Sequence, residues 1–315
     1  MNRTKIEWVQ NPDGSQGYTH NPMSGCENHT PEGLCLDGLF PCYAYKLAYR
    51  RLKQRYLANR NGLPYSILER SLAAQLRAEG NPFYPRFWEG RLLKLRGEGD
   101  YDKAYPARNA YHASREKGKG IFVCDMGDLF GVGIPEQWTR RVLEQCEIFS
   151  QHRFYLLTKQ PQNLIKFSPF PENCWVGVTA TNGKMVDDAG YYLEKIEASV
   201  KYISLEPLLE SMLLFFGKPT IAWLIIGACT GSWVDMANLC LRYGQLTLTR
   251  WGNKWTAQPR IEWLREIVGA ADKAGIPVFL KDNLLELVNY HSPQTDFAFN
   301  KDGCYRQEMP GEVKH

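Results

Sequence analysis

The chain has no apolar run long enough to cross a membrane. A membrane-spanning helix needs about 18 or more consecutive apolar residues, whereas the longest run in this sequence covers only Trp223 to Ala228. The first residues include Arg3, Lys5 and Glu7, where a secretory signal would have an apolar core. We therefore expect a protein that does not associate with membranes and works in the cytoplasm.

The sequence also lacks the glycine patterns that bind nucleotide phosphates. Gly131-Val132-Gly133 follows a candidate strand, but Pro135 interrupts the dinucleotide-binding pattern. Gly118-Lys119-Gly120 precedes its strand instead of following it, which excludes a P-loop. The formal net charge of +4 is too small to establish a polyanionic partner. A cluster of cations between Lys46 and Arg55 has the pattern of a solvated helix face.

From about residue 120 onwards the sequence contains short apolar runs separated by helix-length segments. Each run is almost continuously apolar and rich in β-branched or aromatic residues, as a strand covered on both faces must be. The runs are Ile121–Cys124, Phe154–Leu157, Cys174–Val178, Lys201–Leu205, Trp223–Ile226 and Ile276–Leu280. Amphipathic helices are predicted at Pro135–Ser150 and Ile261–Ala274. With one or two earlier strands, this pattern predicts an α/β fold with parallel strands, arranged as a full or partial TIM-like (β/α) barrel.

We predict that residues 1–315 form a single domain, because (β/α) barrels of this size are routinely one domain. Residues 1–60 form an N-terminal segment with a cysteine-containing loop and a first helix at Tyr43–Leu57, and residues 120–283 form the regular βα repeats. Residues 232–260 form a Trp-rich insertion in which aromatic residues alternate with cations. Such a surface can stack on nucleotides, but we favour a small hairpin that packs its own tryptophans.

Three of the nine cysteines lie close together in the chain. An odd number of cysteines without a regular framework spacing predicts reduced thiols. Cys26, Cys35 and Cys42 lie in a loop rich in glycine and proline that precedes the first helix. Three thiolates can hold zinc or an iron–sulfur cluster. A structural zinc site needs four protein ligands, for which His29 is the candidate fourth, whereas a cluster on three thiolates leaves one iron open to a cofactor.

Polar side chains or bare backbone follow each of the six predicted strands. In (β/α) barrels the chemistry lies at the C-terminal ends of the strands. The residues at these ends include Asp125, Gly127, Asp128, Lys159, Thr179, Thr181, Asn182, Glu206, Gly227, Ala228 and Lys281. Because Asp, Asn and Thr often cap helices, each position taken alone is equally well explained by loop structure. The repetition over six strands favours a functional rim.

Eight segments of the chain together resemble a known family. They are Lys5-Ile6-Glu7-Trp8, Asn21-Pro22-Met23-Ser24-Gly25-Cys26, Pro41-Cys42-Tyr43-Ala44, Val123-Cys124-Asp125-Met126-Gly127-Asp128-Leu129-Phe130, Leu156-Leu157-Thr158-Lys159-Gln160-Pro161, Trp175-Val176-Gly177-Val178, Ser204-Leu205-Glu206-Pro207-Leu208 and Phe279-Leu280-Lys281. In this order they are similar to the phage-type three-cysteine family of radical S-adenosylmethionine-like proteins, in the radical SAM superfamily. One departure is the longer spacing between Cys35 and Cys42, which leaves Cys35 and His29 as alternatives for the middle ligand.

The resemblance implies a partial barrel with a 4Fe-4S cluster on Cys26, Cys35 and Cys42 and with S-adenosylmethionine on the open iron. An electron donor would reduce the cluster, and an electron from the cluster would then cleave the sulfonium and release a 5′-deoxyadenosyl radical that abstracts hydrogen from a substrate. By position, Asp125, Gly127 and Asp128 would bind the methionyl ammonium group and Lys159 the methionyl carboxylate. Thr179, Thr181 or Asn182 would bind the ribose, and Gly227-Ala228 would lie against adenine, with Glu206 also in the cofactor site.

Two other function classes remain open from the residues alone. One is a zinc-stabilised barrel that binds nucleic acid or a protein partner without radical chemistry. The other is a barrel hydrolase that uses rim carboxylates such as Asp128 and Glu206, although no paired-carboxylate motif of recognisable spacing supports it. The substrate is not identified by any motif, and the mild basic excess favours a nucleotide or nucleic acid.

Overall fold

The computed structural model of the protein describes residues 1–64, 71–92, 117–212, 220–292 and 294–311. Its largest sheet has eight strands and is open within these residues. The strands are β1 (Asn2–Arg3), β2 (Tyr18–His20), β5 (Gly120–Val123), β6 (Arg153–Thr158), β7 (Cys174–Thr179), β8 (Val200–Leu205), β9 (Trp223–Ile226) and β13 (Val278–Leu280). They lie side by side in this same order, β1-β2-β5-β6-β7-β8-β9-β13. Strand β1 pairs antiparallel with β2, whereas the pairs β2–β5, β5–β6, β8–β9 and β9–β13 are parallel.

All six strands predicted from the apolar runs are present, and the predicted α/β class with a mostly parallel sheet is confirmed. Strands β5, β7, β9 and β13 are buried at every residue. A strand that is buried on both faces cannot alternate between apolar and polar residues. This explains why continuous apolar runs were a sufficient signal for these strands.

The two amphipathic helices predicted at Pro135–Ser150 and Ile261–Ala274 are confirmed to within two residues, and the described residues contain further helices that were not predicted. The helices are α1 (Tyr43–Tyr49), α2 (Lys53–Ala58), α3 (Leu72–Gly80), α4 (Glu89–Leu92), α5 (Glu136–Ile148), α6 (Gly183–Glu194), α7 (Trp233–Tyr243), α8 (Ile261–Ala274) and α9 (Leu285–Tyr290). The prediction of one continuous first helix at Tyr43–Leu57 is wrong, because the chain breaks between α1 and α2. Like charges four residues apart, at Lys46 and Arg50 and at Arg51 and Arg55, weaken a continuous helix at this point.

The chain divides into two compact units. The first contains residues 1–34, 42–176 and 197–199, and the second contains residues 35–41, 177–196 and 200–315. In the first unit, Tyr45, Tyr56, Phe83 and Met126 belong to one buried cluster. A short antiparallel pair, β3 (Met23–Ser24) with β4 (Arg86–Phe87), also belongs to this unit.

The second unit contains a small antiparallel sheet next to helix α7. Its strands are β10 (Cys229–Gly231), β11 (Thr247–Trp251) and β12 (Lys254–Gln258), in the order β10-β12-β11. Strands β11 and β12 form the hairpin predicted for the Trp-rich insertion, but only over residues 247–258, because the first part of the insertion is helix α7. The tryptophans of the insertion are only partly packed, since Trp251 and Trp255 are half-buried and Trp233 is 55% exposed.

The C-terminal segment of the second unit covers the outer edge of β13. The N–H of Leu280 donates to the carbonyl of Arg306 at 2.8 Å, and the N–H of Glu308 donates to the carbonyl of Val278 at 3.1 Å. The guanidinium group of Arg306 also bonds Asp272 of α8 at 2.8 Å. An open strand edge is therefore paired with the chain's own backbone. Among the described residues, no helix is both long and apolar enough to span a lipid bilayer.

His20, the last residue of β2, makes the stability of the protein depend on pH. Its ring is 2% exposed, and neither ring nitrogen has a hydrogen-bond partner among the described residues. Burial, with the positive N-terminus and Arg91 nearby, lowers the pKa of His20 from its ordinary value of 6.5 to about 3. The unfolded chain therefore takes up a proton in a pH range in which the folded chain does not, so acid favours unfolding.

We expect the free energy of unfolding to fall by about 2 kcal/mol between pH 7 and pH 5 through this histidine. Urea denaturation of the wild type and of His20→Leu at several pH values measures this contribution. The difference between the two unfolding free energies should change with pH by that amount. Parallel pH profiles for the two proteins would contradict the assignment to His20.

Candidate metal and cofactor site

The backbone next to Cys26 is held by the loop that follows β5. Gly25 donates its N–H to the carbonyl of Met126 at 2.9 Å and forms a parallel bridge with Gly127. A methyl group on Gly127 would lie 2.6 Å from the carbonyl oxygen of Gly25, so the two backbones approach too closely for a side chain. On the other side, the N–H of Cys26 donates to the carbonyl of Phe83 at 3.0 Å. The position of Cys26 is therefore set by long-range backbone contacts.

The segment after Cys42 contacts the same loop. The hydroxyl of Tyr43 donates to the carbonyl of Asp125. Cys42 itself caps helix α1, with its sulfur accepting the N–H of Tyr45 at 3.5 Å. Cys26 and Cys42 both pack against the buried cluster that contains Tyr45 and Met126. Within the first unit, the residues beside these two cysteines are thus tied to the Asp125–Gly127 segment.

His29 lies in the same part of the first unit, with its ring oriented by a backbone contact. The Nδ1 atom lies 2.8 Å from the carbonyl oxygen of Thr30. A carbonyl oxygen can only accept, so Nδ1 carries the proton and the lone pair of the neutral ring lies on Nε2. Metal-binding histidines are commonly oriented in this way. The ring also packs against Tyr45 and Phe83, with centroid distances of 4.9 and 5.4 Å.

Cys35 lies in a closed loop. The N–H of Cys42 donates to the carbonyl of Gly33 at 3.0 Å, so the ends of this segment meet. Within this segment, the N–H of Cys35 donates to the carbonyl of Phe40 at 2.9 Å. The side chain of Cys35 is 7% exposed. The extra residues before Cys42 therefore form a closed turn.

The donor chemistry of the three cysteines fits a soft metal. None of the three forms a disulfide. The Cys26 sulfur accepts the N–H of Asn28 at 3.3 Å, and such N–H···S bonds favour the thiolate form and tune iron–sulfur clusters. Within the part of the chain that the structure describes, however, no group of three or more His, Cys, Asp or Glu side chains is gathered as a metal-binding set. The fit therefore rests on the types of donor and their local bonding.

The two predicted carboxylates after β5 have different surroundings. Asp128 is buried, and its oxygens accept the N–H groups of Phe130 and Lys159 and the hydroxyl of Thr158, each at 3.0 Å. Burial raises the pKa of Asp128, while these donors act in the opposite direction. Asp128 thus connects the loop after β5 to the end of β6 by hydrogen bonds, and both of its carboxylate oxygens accept from groups of the protein.

Asp125 is the more accessible of the two carboxylates. It is half-buried, and one oxygen accepts the side-chain N–H of Asn21 at 2.6 Å. Burial raises the pKa of Asp125, while the Asn21 contact acts in the opposite direction. Asn21 also accepts the N–H of Met126 at 3.0 Å, so it orients the whole turn. Of the two, Asp125 is better placed to bind a ligand.

The polar residues after β7 serve the protein's own structure. Thr179 is buried at the end of the strand. The hydroxyl of Thr181, which is fully buried, donates to the carbonyl of Asp37 at 3.0 Å. Asn182 caps helix α6 by accepting the N–H of Met185 at 2.9 Å. Asn182 thus caps a helix, which is the alternative explanation given above for such residues.

Glu206 and Lys281, predicted at the ends of β8 and β13, form an ion pair. Gly227 lies against this pair, because a methyl group on Gly227 would be 2.9 Å from Lys281 Cδ. The next residue, Ala228, has both of its backbone polar groups bonded to the buried Asn283. The Ala228 N–H donates to Asn283 Oδ1 at 3.1 Å, and the Ala228 carbonyl accepts from Nδ2 at 2.8 Å.

For three residues of this region, Asn21, Tyr43 and Asn283, the sequence predicted no hydrogen-bond partner. Each bonds a residue far away in the chain, with separations of 104 positions for Asn21 to Asp125 and 55 for Asn283 to Ala228. No local pattern marks such partners. The only available signal was that Asn21 and Tyr43 lie in the motifs that also contain Cys26 and Cys42.

Residues 3–237 match the family model described as "Protein of unknown function (DUF5131)". The match covers well over half of the chain. The chain belongs to the DUF5131 family. No curated protein matches the chain significantly. The matched residues include all three clustered cysteines and the loop after β5, and the description of the family assigns no chemistry to them.

The two carboxylates should differ in their effect on stability. Asp128→Ala leaves the N–H groups of Phe130 and Lys159 and the hydroxyl of Thr158 without their acceptor, so we expect a loss of roughly 3 kcal/mol in the free energy of unfolding. Asp125→Ala removes the side-chain contacts of a half-buried carboxylate with Asn21 and Thr19, and we expect a smaller loss of about 1 kcal/mol. Urea denaturation followed by circular dichroism measures both values. Equal losses of unfolding free energy in the two variants would show that the three hydrogen bonds of Asp128 do not make it the more important residue for stability.

Proposed function

We propose that this protein is a radical S-adenosylmethionine enzyme with a 4Fe-4S cluster bound by Cys26, Cys35 and Cys42. The observation that supports this most is the chemistry of the cysteine segment. Its thiols are outside disulfides, and the sulfurs of Cys26 and Cys42 accept backbone N–H groups. The segments next to these two cysteines are also tied to a half-buried carboxylate loop.

The cluster, when bound, would supply an electron that splits the sulfonium of S-adenosylmethionine into methionine and a 5′-deoxyadenosyl radical. The work of the protein is to bind and orient the cofactor and to keep water away from the radical. The Asp125 carboxylate is suited to accept hydrogen bonds from the methionyl ammonium group. Asn21 would keep Asp125 in place through the 2.6 Å contact between them. Asp128 would act one step further back by holding the loop in shape.

The remaining cofactor roles stay predictions from the sequence. Lys159 would bind the methionyl carboxylate, and its backbone is positioned by Asp128 at 3.0 Å. Glu206 would take part through its ion pair with Lys281. Because Thr181 and Asn182 already bond within the protein and Thr179 is buried, a backbone group at the end of β7 is the better candidate for the ribose hydroxyls. The backbone polar groups of Ala228 are occupied by Asn283, which leaves van der Waals contact of Gly227-Ala228 with adenine.

The finer fold that accompanies this function is a partial (β/α) barrel, which an open, mostly parallel sheet of eight strands would suit. An electron donor is required as a partner, and the cytoplasm is the compartment in which nine cysteines would stay reduced. A nucleotide or nucleic acid is the substrate class that we favour. The support for it is the basic excess, together with the Trp233 ring on the surface of helix α7.

A zinc-stabilised protein without radical chemistry is the second candidate, and one observation favours it. The Nδ1 contact of His29 with the Thr30 carbonyl leaves Nε2 as the metal-binding atom. Together with the three cysteines, His29 would complete the four ligands that structural zinc requires. Such a protein would bind nucleic acid or a protein partner.

Metal analysis after anaerobic purification separates the two candidates. We expect a brown protein with about four iron and four sulfide ions per chain. The variants Cys26→Ala, Cys35→Ala and Cys42→Ala should each lose most of this iron. Cys304→Ala is the matched control, because Cys304 is exposed and lies outside the loop. A colourless protein with one zinc ion, which His29→Ala abolishes, would replace the radical-enzyme proposal with the zinc one.

Cofactor binding gives an independent test. We expect Asp125→Asn to weaken S-adenosylmethionine binding about tenfold or more, because a charge-assisted hydrogen bond to the ammonium group is lost. Isothermal titration calorimetry of the iron-loaded protein measures this affinity. Glu136→Gln, on the exposed start of α5, is the control and should bind as the wild type does. Equal affinities for wild type and Asp125→Asn would remove Asp125 from the cofactor site.

A further inference from the structure

The loop Cys35–Pro41 has a backbone conformation that must be imposed by its surroundings. Gly38 has a φ of 115° and Leu39 a φ of 49°. Leu39 is one of only two non-glycine residues with positive φ in the described part of the chain. Such a conformation is unfavourable for a leucine, and it persists only where neighbouring groups over-determine it. The loop therefore needs external contacts to keep its shape.

Three side chains from elsewhere in the second unit supply these contacts. They donate to three consecutive carbonyl groups of the loop. Thr181 donates to Asp37 at 3.0 Å and Tyr243 to Gly38 at 2.6 Å. Arg242 donates to Leu39. These donors lie 144 to 205 positions away from their acceptors in the chain, so the contacts are a product of the tertiary fold.

The loop also fits closely at Gly38. A methyl group at this position would lie 2.6 Å from Thr181 Oγ1 and 3.0 Å from Leu209 Cδ1. A side chain would displace the loop from the hydroxyl that bonds it. This close contact lies two residues before Phe40, whose carbonyl accepts the N–H of Cys35.

Two of the three donors are the last residues of helix α7, at the start of the Trp-rich insertion. The helix is anchored by Met236 and Leu239, which are buried. It ends directly after Tyr243, at Gly244 in the left-handed conformation. Burial, with Glu210 nearby, raises the pKa of Tyr243, so its hydroxyl keeps the proton that it donates. The insertion thus presents two fixed donors to the loop.

We propose that Tyr243, with Thr181 and Arg242, is a positioning residue for Cys35. It holds the loop in the one conformation that orients this thiol, and the insertion at residues 232–260 serves as the support for this contact. The inference rests on the proposed function only in taking Cys35 as a cluster ligand. The conformational part applies to the metal-free protein as well.

Alkylation of Cys35 tests the conformational part directly. The full-length protein, metal-free and reduced, is treated with iodoacetamide, and the rate at each cysteine is followed by peptide mass spectrometry. Cys35 is buried, so it reacts only when the loop opens. In Tyr243→Phe we expect its rate to rise roughly fivefold, which corresponds to the loss of one hydrogen bond. The rates at Cys26 and Cys42 should stay the same in the same sample.

Two further variants sharpen the result. Thr181→Val keeps the shape of the side chain but removes its donor, so it should also raise the Cys35 rate, and the double variant should raise it further. Tyr305→Phe is the matched control, because it removes a tyrosine hydroxyl that donates to the Lys281 carbonyl at 3.1 Å and not to a carbonyl of the loop. It should leave the Cys35 rate unchanged. An unchanged Cys35 rate in both Tyr243→Phe and Thr181→Val, or an equal rise at all three cysteines, would overturn the inference.

Iron binding separates this inference from the proposed function. In anaerobic reconstitution, Tyr243→Phe should take up less iron than Tyr305→Phe, and it should lose its iron faster to a chelator. If the wild type binds no iron but the Cys35 rates change as expected, the proposed function fails and the positioning of the loop stands. If the wild type binds iron and the Cys35 rates do not change, the proposed function stands and the positioning role fails.

Discussion

The close approach of two glycine backbones, at Gly25 and Gly127, is the constraint on which the candidate site of the first unit depends. The Gly25 N–H bonds the Met126 carbonyl, and a methyl group on Gly25 would lie 2.6 Å from the carbonyls of Phe83 and Tyr84. No larger residue fits at such a contact without moving the backbone. The contact joins the segment before Cys26 to the loop after β5. Through this contact, Cys26 and Asp125 belong to the same candidate site although they lie about a hundred residues apart in the chain.

The same loop shows how burial gives two aspartates different roles. Asp128 has its oxygens occupied by three donors inside the protein, whereas Asp125 is half-buried and oriented by Asn21. A buried carboxylate that lacked such donors would be costly, so the donors at Asp128 are a structural requirement. Of the two carboxylates, Asp125 therefore has the more accessible oxygens. The sequence, in which both residues follow the same strand, offers no way to tell them apart.

The strands could be predicted because the signal for them is local. Continuous apolar runs such as Trp223–Ile226 reflect burial on both faces, and all of these runs form strands in the structure. Helix α8 was predicted with its observed bounds, Ile261–Ala274, because its apolar face has helical periodicity. The break between α1 and α2 was missed, since no Gly or Pro marks it. The site could be predicted only as a set of residue types, because partners such as Asn283 and Ala228 meet through the tertiary fold alone.

The long spacing between Cys35 and Cys42 looked like an argument against Cys35 as a metal ligand, and the structure weakens that argument. A longer loop costs little conformational entropy if its ends meet, and the contact of Cys42 with Gly33 closes this one. Within it, the positive φ values of Gly38 and Leu39 turn the chain back so that Phe40 pairs with Cys35. The extra residues thus form a closed turn, and their number does not by itself make the Cys35 thiol mobile. Loop length therefore does not decide between Cys35 and His29, and the decision passes to the chemistry of the two donors, a buried thiol and an imidazole whose Nε2 carries the lone pair.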